Sequence, residues 1–162
     1  MYQNILVAID GSPTSDLTLH EALRIAKDGS RVKAITIIDN PLAGYGTPAM
    51  TSHYENIRNI CLQEGQNVLS KAVIDAKNLG HIEIETQLID LGDEAEHDIA
   101  TAILHAAKEY QADLILIGRH GKKNSVKRFF MGSVAERVIR QSLTPVMIIS
   151  SLSKTNQSDI GA

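Results

Sequence analysis

The chain has 162 residues, a length typical of one domain with a substantial core. Its formal net charge of −3 argues against nucleic acid as the main partner, because proteins that bind nucleic acid usually present a broad basic face. The single cysteine, Cys61, excludes an internal disulfide and is too little for a cysteine-based metal site.

The first predicted element is a buried strand. An apolar run from Asn4 to Ile9 ends at the turn Asp10-Gly11-Ser12-Pro13. Ser15 or Asp16 is predicted to cap the helix that follows. The first ten residues lack the charged start of a secretory signal, and their apolar run is too short to span a membrane. We therefore expect a cytoplasmic protein without a membrane segment.

The remaining elements continue the alternation of strands and helices, which implies a mostly parallel sheet with helices on both faces. Cys61 falls on the apolar face of a helix and is interpreted as a core residue. The predicted elements are a strand over 31–38, a loop over 39–52, a helix over 54–78, a strand over 81–90, a helix over 93–110, a strand over 113–117, a helix over 133–142 and a strand over 144–149. A polar tail over 151–162 is expected to lack fixed structure.

Three predicted strands end in residues suited to a ligand site. Asp10, Asp39 and Gly118 each follow an apolar run. Ligands of open parallel sheets bind beyond the carboxyl ends of the strands, near the point where the strand order reverses. We therefore expect these three segments to converge on one crevice.

The segment from Leu114 to Ala135 is the strongest candidate for an anion site. An apolar run leads into Gly118-Arg119-His120-Gly121, and Gly132-Ser133 follows after ten residues, at the start of a predicted helix. Glycines allow the backbone to approach a ligand, and a helix N-terminus favours phosphate. His120 either contacts phosphate or faces solvent. The segment contains no Asp or Glu, and its basic residues are Arg119, Lys122, Lys123, Lys127 and Arg128.

Several stretches together resemble the universal stress proteins of the UspA type. The resemblance runs from Asn4 to Ser150 and rests on NILVAIDGS, AITIID, DLILIGRHG and GSVAERVIRQSLTPVMII. It implies one α/β domain over 1–150: an open, Rossmann-like, five-stranded parallel sheet with strand order 3-2-1-4-5 and helices on both faces. It also implies a homodimer. The apolar last strand, an exposed sheet edge, is the predicted interface.

One subgroup of this family binds ATP through Gly-x-x-Gly, nine residues and Gly-Ser or Gly-Thr. In this chain the spacer has ten residues. The resemblance implies that Asp10 contacts the ribose and helps to hold Mg²⁺, that the Ile38 backbone meets the adenine edge, and that Ile117 packs on the base. It also implies that the phosphates are surrounded by Gly118, Gly121, Gly132, Ser133 and Val134.

These observations favour binding over catalysis. The chain has no P-loop motif, no dinucleotide fingerprint and no nucleophile elbow, and no general base is placed by the sequence. We predict a regulatory protein of the stress response that binds ATP, or ADP or AMP, and hydrolyses it slowly if at all. The ten-residue spacer keeps open a nucleotide-free interaction protein of the same fold. A phosphoacceptor at Asp10 is disfavoured because paired acidic residues are missing there.

Overall fold

The computed structural model describes residues 2–39, 51–80, 83–92, 98–121 and 131–151. Strands and helices alternate along the chain, as predicted. The elements are β1 Asn4–Ala8, α1 Pro13–Ile25, β2 Arg31–Ile38, α2 Thr51–Asn78, β3 Glu85–Asp90, α3 Ile99–Glu109, β4 Leu114–Gly118, α4 Ser133–Gln141 and β5 Val146–Ile149.

The five strands form one parallel sheet in the order β3-β2-β1-β4-β5, which confirms the predicted fold class and strand order. β1 lies in the centre, where Ala8 is in register with Ile35 of β2 and Ile117 of β4. The strand order reverses at β1, so the connections after β1 and β4 leave on opposite faces. Their divergence opens a crevice at the carboxyl edge of the sheet.

The central strands are continuous apolar runs because both of their faces are buried. In β1, Ile5 and Val7 pack towards α1 and α2, whereas Leu6 packs towards α3 and α4. All three side chains are fully buried. Burial of one such side chain contributes about 1.5–3 kcal/mol, so the two cores fix both helical layers on the sheet.

The first helix begins earlier than predicted. Ser12 is its N-cap and Pro13 its first residue, so the prediction of Ser15 or Asp16 as the cap was wrong. Proline suits the first helical position, because its φ is already helical and the missing N–H would have no partner in the helix. Ser15 is instead buried within the first turn.

Other boundaries differ by a few residues. β3 is shorter than the predicted strand, and α2 begins at Thr51. Asp98 caps α3, whereas residues 93–97 lie outside the described part of the chain, as does the tail from 152 onwards. Among the described helices, none has both the length and the apolar character that crossing a membrane requires.

Candidate functional site

A cleft of about 440 Å³ opens at the carboxyl ends of β1, β2 and β4, next to the reversal of strand order. Helices α2, α3 and α4 complete its walls. The structure brings all the predicted site residues to this cleft, although their contacts with a ligand remain a prediction. These lining residues are Asp10, Ile38, Ile117, Gly118, Gly121, Gly132, Ser133 and Val134.

The turn after β1 holds Asp10 in a defined orientation. The Ser12 N–H donates to Asp10 Oδ1 at 3.0 Å, an arrangement that closes a local Asx turn. Ser12 Oγ in turn accepts the Ser15 N–H at 3.1 Å, while the Ser15 hydroxyl donates to the Ser12 carbonyl at 2.9 Å. The short polar residues after β1 thus fix both the helix start and the carboxylate that precedes it.

The glycine segment meets this turn across the cleft. A Cβ added to Gly121 would lie 2.9 Å from Asp10 Oδ2, which is closer than real Cβ contacts. A side chain at position 121 would therefore shift the Asp10 carboxylate, where these two segments, more than a hundred residues apart in sequence, approach each other. Asp10, the residue predicted to contact the ribose, therefore lies beside the glycine segment predicted to surround the phosphates.

Backbone hydrogen bonds anchor both ends of the glycine segment. The Arg119 N–H donates to the Ile149 carbonyl at 2.7 Å, and the Gly132 N–H donates to the Arg119 carbonyl at 2.9 Å. Gly132 thus returns to the end of β4, so the two glycine motifs are in contact despite the ten-residue spacer. The following spacer residues singled out from the sequence lie outside the described residues: Lys122, Lys123, Lys127 and Arg128.

Helix α4 points its N-terminus at the cleft. Its N-cap is Gly132, and no side-chain hydrogen bond within the described residues caps its first turn. Ser133, Val134 and Ala135, the first three residues of the helix, all line the cleft. The N–H groups of a first helical turn have no partner within the helix and carry the positive end of its dipole. This end of the cleft is therefore suited to an anion.

Much of the remaining cleft lining is apolar. Cys61 is only partly buried there, so its interpretation as a core residue was wrong. It lies on α2, which the sequence-based site did not include. The apolar lining is contributed by Ile35, Ile37 and Ile38 of β2, Cys61 and Val68 of α2, Ile99 and Ile103 of α3, and Ile117 of β4.

Other polar side chains of the lining were only partly predicted. Thr36 is 3% exposed, and its hydroxyl donates to the Ile9 carbonyl at 3.0 Å, which joins β2 to the end of β1. Asp39 and Glu64 add carboxylates to the lining, and His120 lies beside the glycines. The position of Asp39 after a strand was a usable signal, whereas nothing local distinguishes Glu64 from other exposed glutamates.

The chain itself does not build a metal centre among the described residues, where no three His, Cys, Asp or Glu side chains are grouped to hold an ion. The Asp10 carboxylate can supply one oxygen ligand to a divalent cation. Most of the other ligands would have to come from a bound phosphate and water. The residues therefore fit a metal only as a companion of a phosphorylated ligand.

Comparisons with known proteins agree with this architecture. The chain is 34% identical over 151 residues to a universal stress protein from Methanocaldococcus jannaschii, covering 92% of this chain and 82% of that protein. A universal stress protein from Archaeoglobus fulgidus in complex with dAMP is 27% identical, with a TM-score of 0.64 and coverage of 91% and 98%. A universal stress protein in complex with cAMP is 25% identical, with a TM-score of 0.60 and coverage of 92% and 97%.

The model of the universal stress protein family matches residues 1–150. This match spans every strand and helix described above, including both glycine motifs and the turn at Asp10. The chain belongs to the universal stress protein family.

Proposed function

We propose that this protein binds an adenine nucleotide in the cleft, with ATP as a regulatory ligand in a cytoplasmic stress response. The observation that carries the proposal is the polarity of the cleft. The cleft combines an open helix N-terminus and glycine backbone with apolar side chains from β2, α2, α3 and β4. A nucleotide has the same polarity, with an anionic end and a flat apolar base.

The phosphate end is formed by α4 and the glycine segment. Gly132 presents backbone without a side chain, and the first-turn N–H groups of Ser133 and Val134 are suited to phosphate oxygens. Arg119 adds a positive charge to the same lining. Nucleotides in two similar proteins of the family, dAMP and cAMP, support an adenine nucleotide as the ligand class.

The base and ribose have matching partners further along the cleft. Ile38 and Ile117 offer apolar surface for a purine ring, with the Ile38 backbone at the edge of the base. Asp10, whose Oδ1 is oriented by the Ser12 N–H, offers carboxylate oxygens to the ribose hydroxyls or to Mg²⁺ carried by the phosphates.

Calorimetry with ATP, ADP, AMP, cAMP and dAMP, with and without Mg²⁺, tests this proposal, with GTP as the comparison ligand. Saturable binding of the adenine nucleotides is expected. Mass spectrometry of small molecules that copurify with the protein is the independent measurement. Absence of binding for every adenine nucleotide would favour the nucleotide-free interaction protein, the alternative suggested by the ten-residue spacer.

Asp10→Ala separates ribose contact from metal contact. We expect it to weaken both ATP and adenosine, which carries no phosphate. Asp28→Ala, in an exposed turn, is the matched control and should leave both affinities unchanged. If adenosine affinity stayed the same while ATP affinity fell, Asp10 would act only through metal and phosphate.

The proposal assigns binding without rapid turnover. The sequence motifs place no general base for water, so hydrolysis is expected to be slow compared with exchange of the nucleotide. Release of inorganic phosphate under single-turnover conditions measures this. Turnover of many ATP molecules per minute would make the protein an ATPase instead.

We further propose a homodimer through the edge formed by β5. Met147 packs against the core on the α1 and α2 face, so its substitution would also disturb the fold. Leu143 is fully exposed beside the strand and Ile139 is 43% exposed, and both therefore offer better test positions. Sedimentation at micromolar concentration should show a dimer that Leu143→Asp weakens. Leu79→Asp, at a 52% exposed site after α2, should leave it unchanged.

A further inference from the structure

Gly65 is an unexpected residue at the centre of α2. The helix runs for 28 residues, and glycine is among the least favourable residues in a helix interior. Gly65 is buried and lines the cleft, whereas its neighbour Glu64 is exposed. A buried helical glycine indicates that another part of the molecule approaches the helix backbone closely.

The close approach comes from side chains of β2 and β3. A Cβ added to Gly65 would lie 2.6 Å from Leu88 Cδ1 and 2.8 Å from Ile38 Cδ1. Both distances are too short for carbon atoms, so α2 could not occupy this position with any larger residue unless a neighbour moved. Only one of the two neighbours, Ile38, belongs to the cleft lining.

A second contact holds the same face of α2 against the sheet. A Cβ added to Gly11, in the turn after β1, would lie 2.8 Å from Val68 Cγ2. Val68 is three residues beyond Gly65, on the same side of the helix, and also lines the cleft. The absence of a Cβ at Gly65 and at Gly11 therefore lets α2 lie close to β2, β3 and the turn after β1.

We propose that Gly65 is a positioning residue for the base of the nucleotide. It acts through Ile38. Because Gly65 has no Cβ, the Ile38 side chain can lie against α2 and leave the space for the purine free. This inference rests on the proposed function. It holds that the position of α2 determines the width of the cleft where the base binds. A side chain at position 65 must displace the Leu88 and Ile38 side chains or move α2 away from the sheet, and a shift of Ile38 or of α2 disturbs the fit of the base.

The test measures adenosine and ATP affinity of Gly65→Ala in the full chain. Overpacking of this size should weaken both ligands by about tenfold. The ratio of the two affinities should stay constant, because the phosphate end is untouched. Ser70→Ala is the matched control: it also raises helix propensity in α2, at an exposed position, and should bind both ligands like wild type.

Rescue distinguishes a positioning role from general damage. Ile38→Val removes Cδ1 and Leu88→Val removes both Cδ atoms, so adding Gly65→Ala to this double variant should cause no further loss of adenosine affinity. That comparison remains informative if Gly65→Ala alone does not fold, which a thermal melt would reveal. A further loss in the triple variant would overturn the proposal, as would wild-type affinity in folded Gly65→Ala. Wild-type protein that bound neither ligand would overturn the proposed function and this inference with it.

Discussion

Helices α1 and α4 both begin beside the cleft, and their N-termini are completed in different ways. At α1, Ser12 Oγ accepts the Ser15 N–H at 3.1 Å, so the chain satisfies its own backbone donor. At α4, the N-cap is Gly132, and no side chain of the described residues takes that place. The two helices follow neighbouring central strands, so position relative to the sheet does not explain the difference.

In the proposed function, the two helix N-termini have different roles. The side-chain cap makes the turn after β1 self-sufficient, which orients Asp10 without help from a ligand. The open start of α4 leaves backbone donors for an external anion. Helix α3 follows the pattern of α1, since Asp98 Oδ1 accepts the Thr101 N–H at 3.0 Å.

The largest effect is expected when α4 is made to resemble α1. Gly132→Asp places a carboxylate at the N-cap, where it competes with phosphate for the same donors and repels it. ATP affinity should fall by roughly 100-fold, the cost of a lost charge-assisted hydrogen bond together with repulsion. Calorimetry with ATP and adenosine measures the loss, which should be much smaller for adenosine.

Gly132→Ala is the control for this change. It adds the same Cβ, which would lie 3.1 Å from the Arg119 carbonyl oxygen, but no charge. The difference between the Asp and Ala variants therefore isolates the anion. If both variants bound ATP equally, the α4 N-terminus would not be the phosphate site.

The converse change opens the start of α1. Ser12→Ala removes the cap, and the free energy of unfolding should fall by about 1 kcal/mol, while ATP affinity changes by less than about threefold. Denaturant unfolding and calorimetry measure the two quantities. Ser12→Thr keeps a hydroxyl and should retain most of the stability. A large loss of ATP affinity in Ser12→Ala would show that α1 also contributes directly to the phosphate end.

The basic residues of the ten-residue spacer should have a smaller effect on ATP affinity than Gly132→Asp. Replacement of Lys122, Lys123, Lys127 and Arg128 by Gln should weaken ATP binding by about threefold to tenfold at low salt and adenosine binding hardly at all, because adenosine carries no phosphate charge and salt screens the attraction of basic residues for phosphate. Titrations at two or more salt concentrations should show a flatter salt dependence for ATP. Equal losses for both ligands would contradict a role restricted to phosphate.

The smallest effect concerns the cap of α3 at low pH. Burial favours the neutral carboxyl of Asp98, but hydrogen bonds from the Thr101 N–H and hydroxyl, together with Arg137, outweigh it and hold the pKa of Asp98 below its usual range. The stabilisation is therefore complete above the unfolded-state pKa near about 4 and is lost as pH falls through the lower folded-state value.

Asp98→Asn should remove this part of the pH dependence. The free energy of unfolding, measured between about pH 6 and pH 3, should fall less steeply with decreasing pH in the variant than in wild type. The hydroxyl cap of α1 does not titrate, so Ser12→Ala serves as the comparison and should keep the wild-type slope. Identical slopes for wild type and Asp98→Asn would contradict the lowered pKa.

Most of the fold was predictable because its determinants are local. The run from Leu114 to Ile117 is apolar at every position, and alternate side chains enter the two cores on opposite faces of the sheet. Helix boundaries were less predictable. Ser12 and Ser15 are both acceptable caps by composition, and the choice depended on Pro13 and on a hydrogen bond that only the folded turn forms.

The apolar pattern of α2 shows a different limit. Ile57 and Ile60 have the i, i+3 spacing of a helical apolar face, yet they are 38% and 59% exposed. The helix is buried further along, where Leu69 and Ala72 rest on the sheet. Periodicity identifies a side of a helix, but it does not identify the part of that side which the sheet covers.

The amino-acid sequence was enough to predict that the carboxyl ends of the strands, the glycine motifs and Asp10 meet at one cleft. Each of these features depends on residue type within a few positions of the chain. The contribution of α2 to the cleft lining through Gly65 and Val68 is visible only in the folded molecule. The tertiary structure also decided that Gly132 returns to the Arg119 carbonyl. Such contacts join segments far apart in sequence, and they depend on how the helices are seated on the sheet, which no local pattern records.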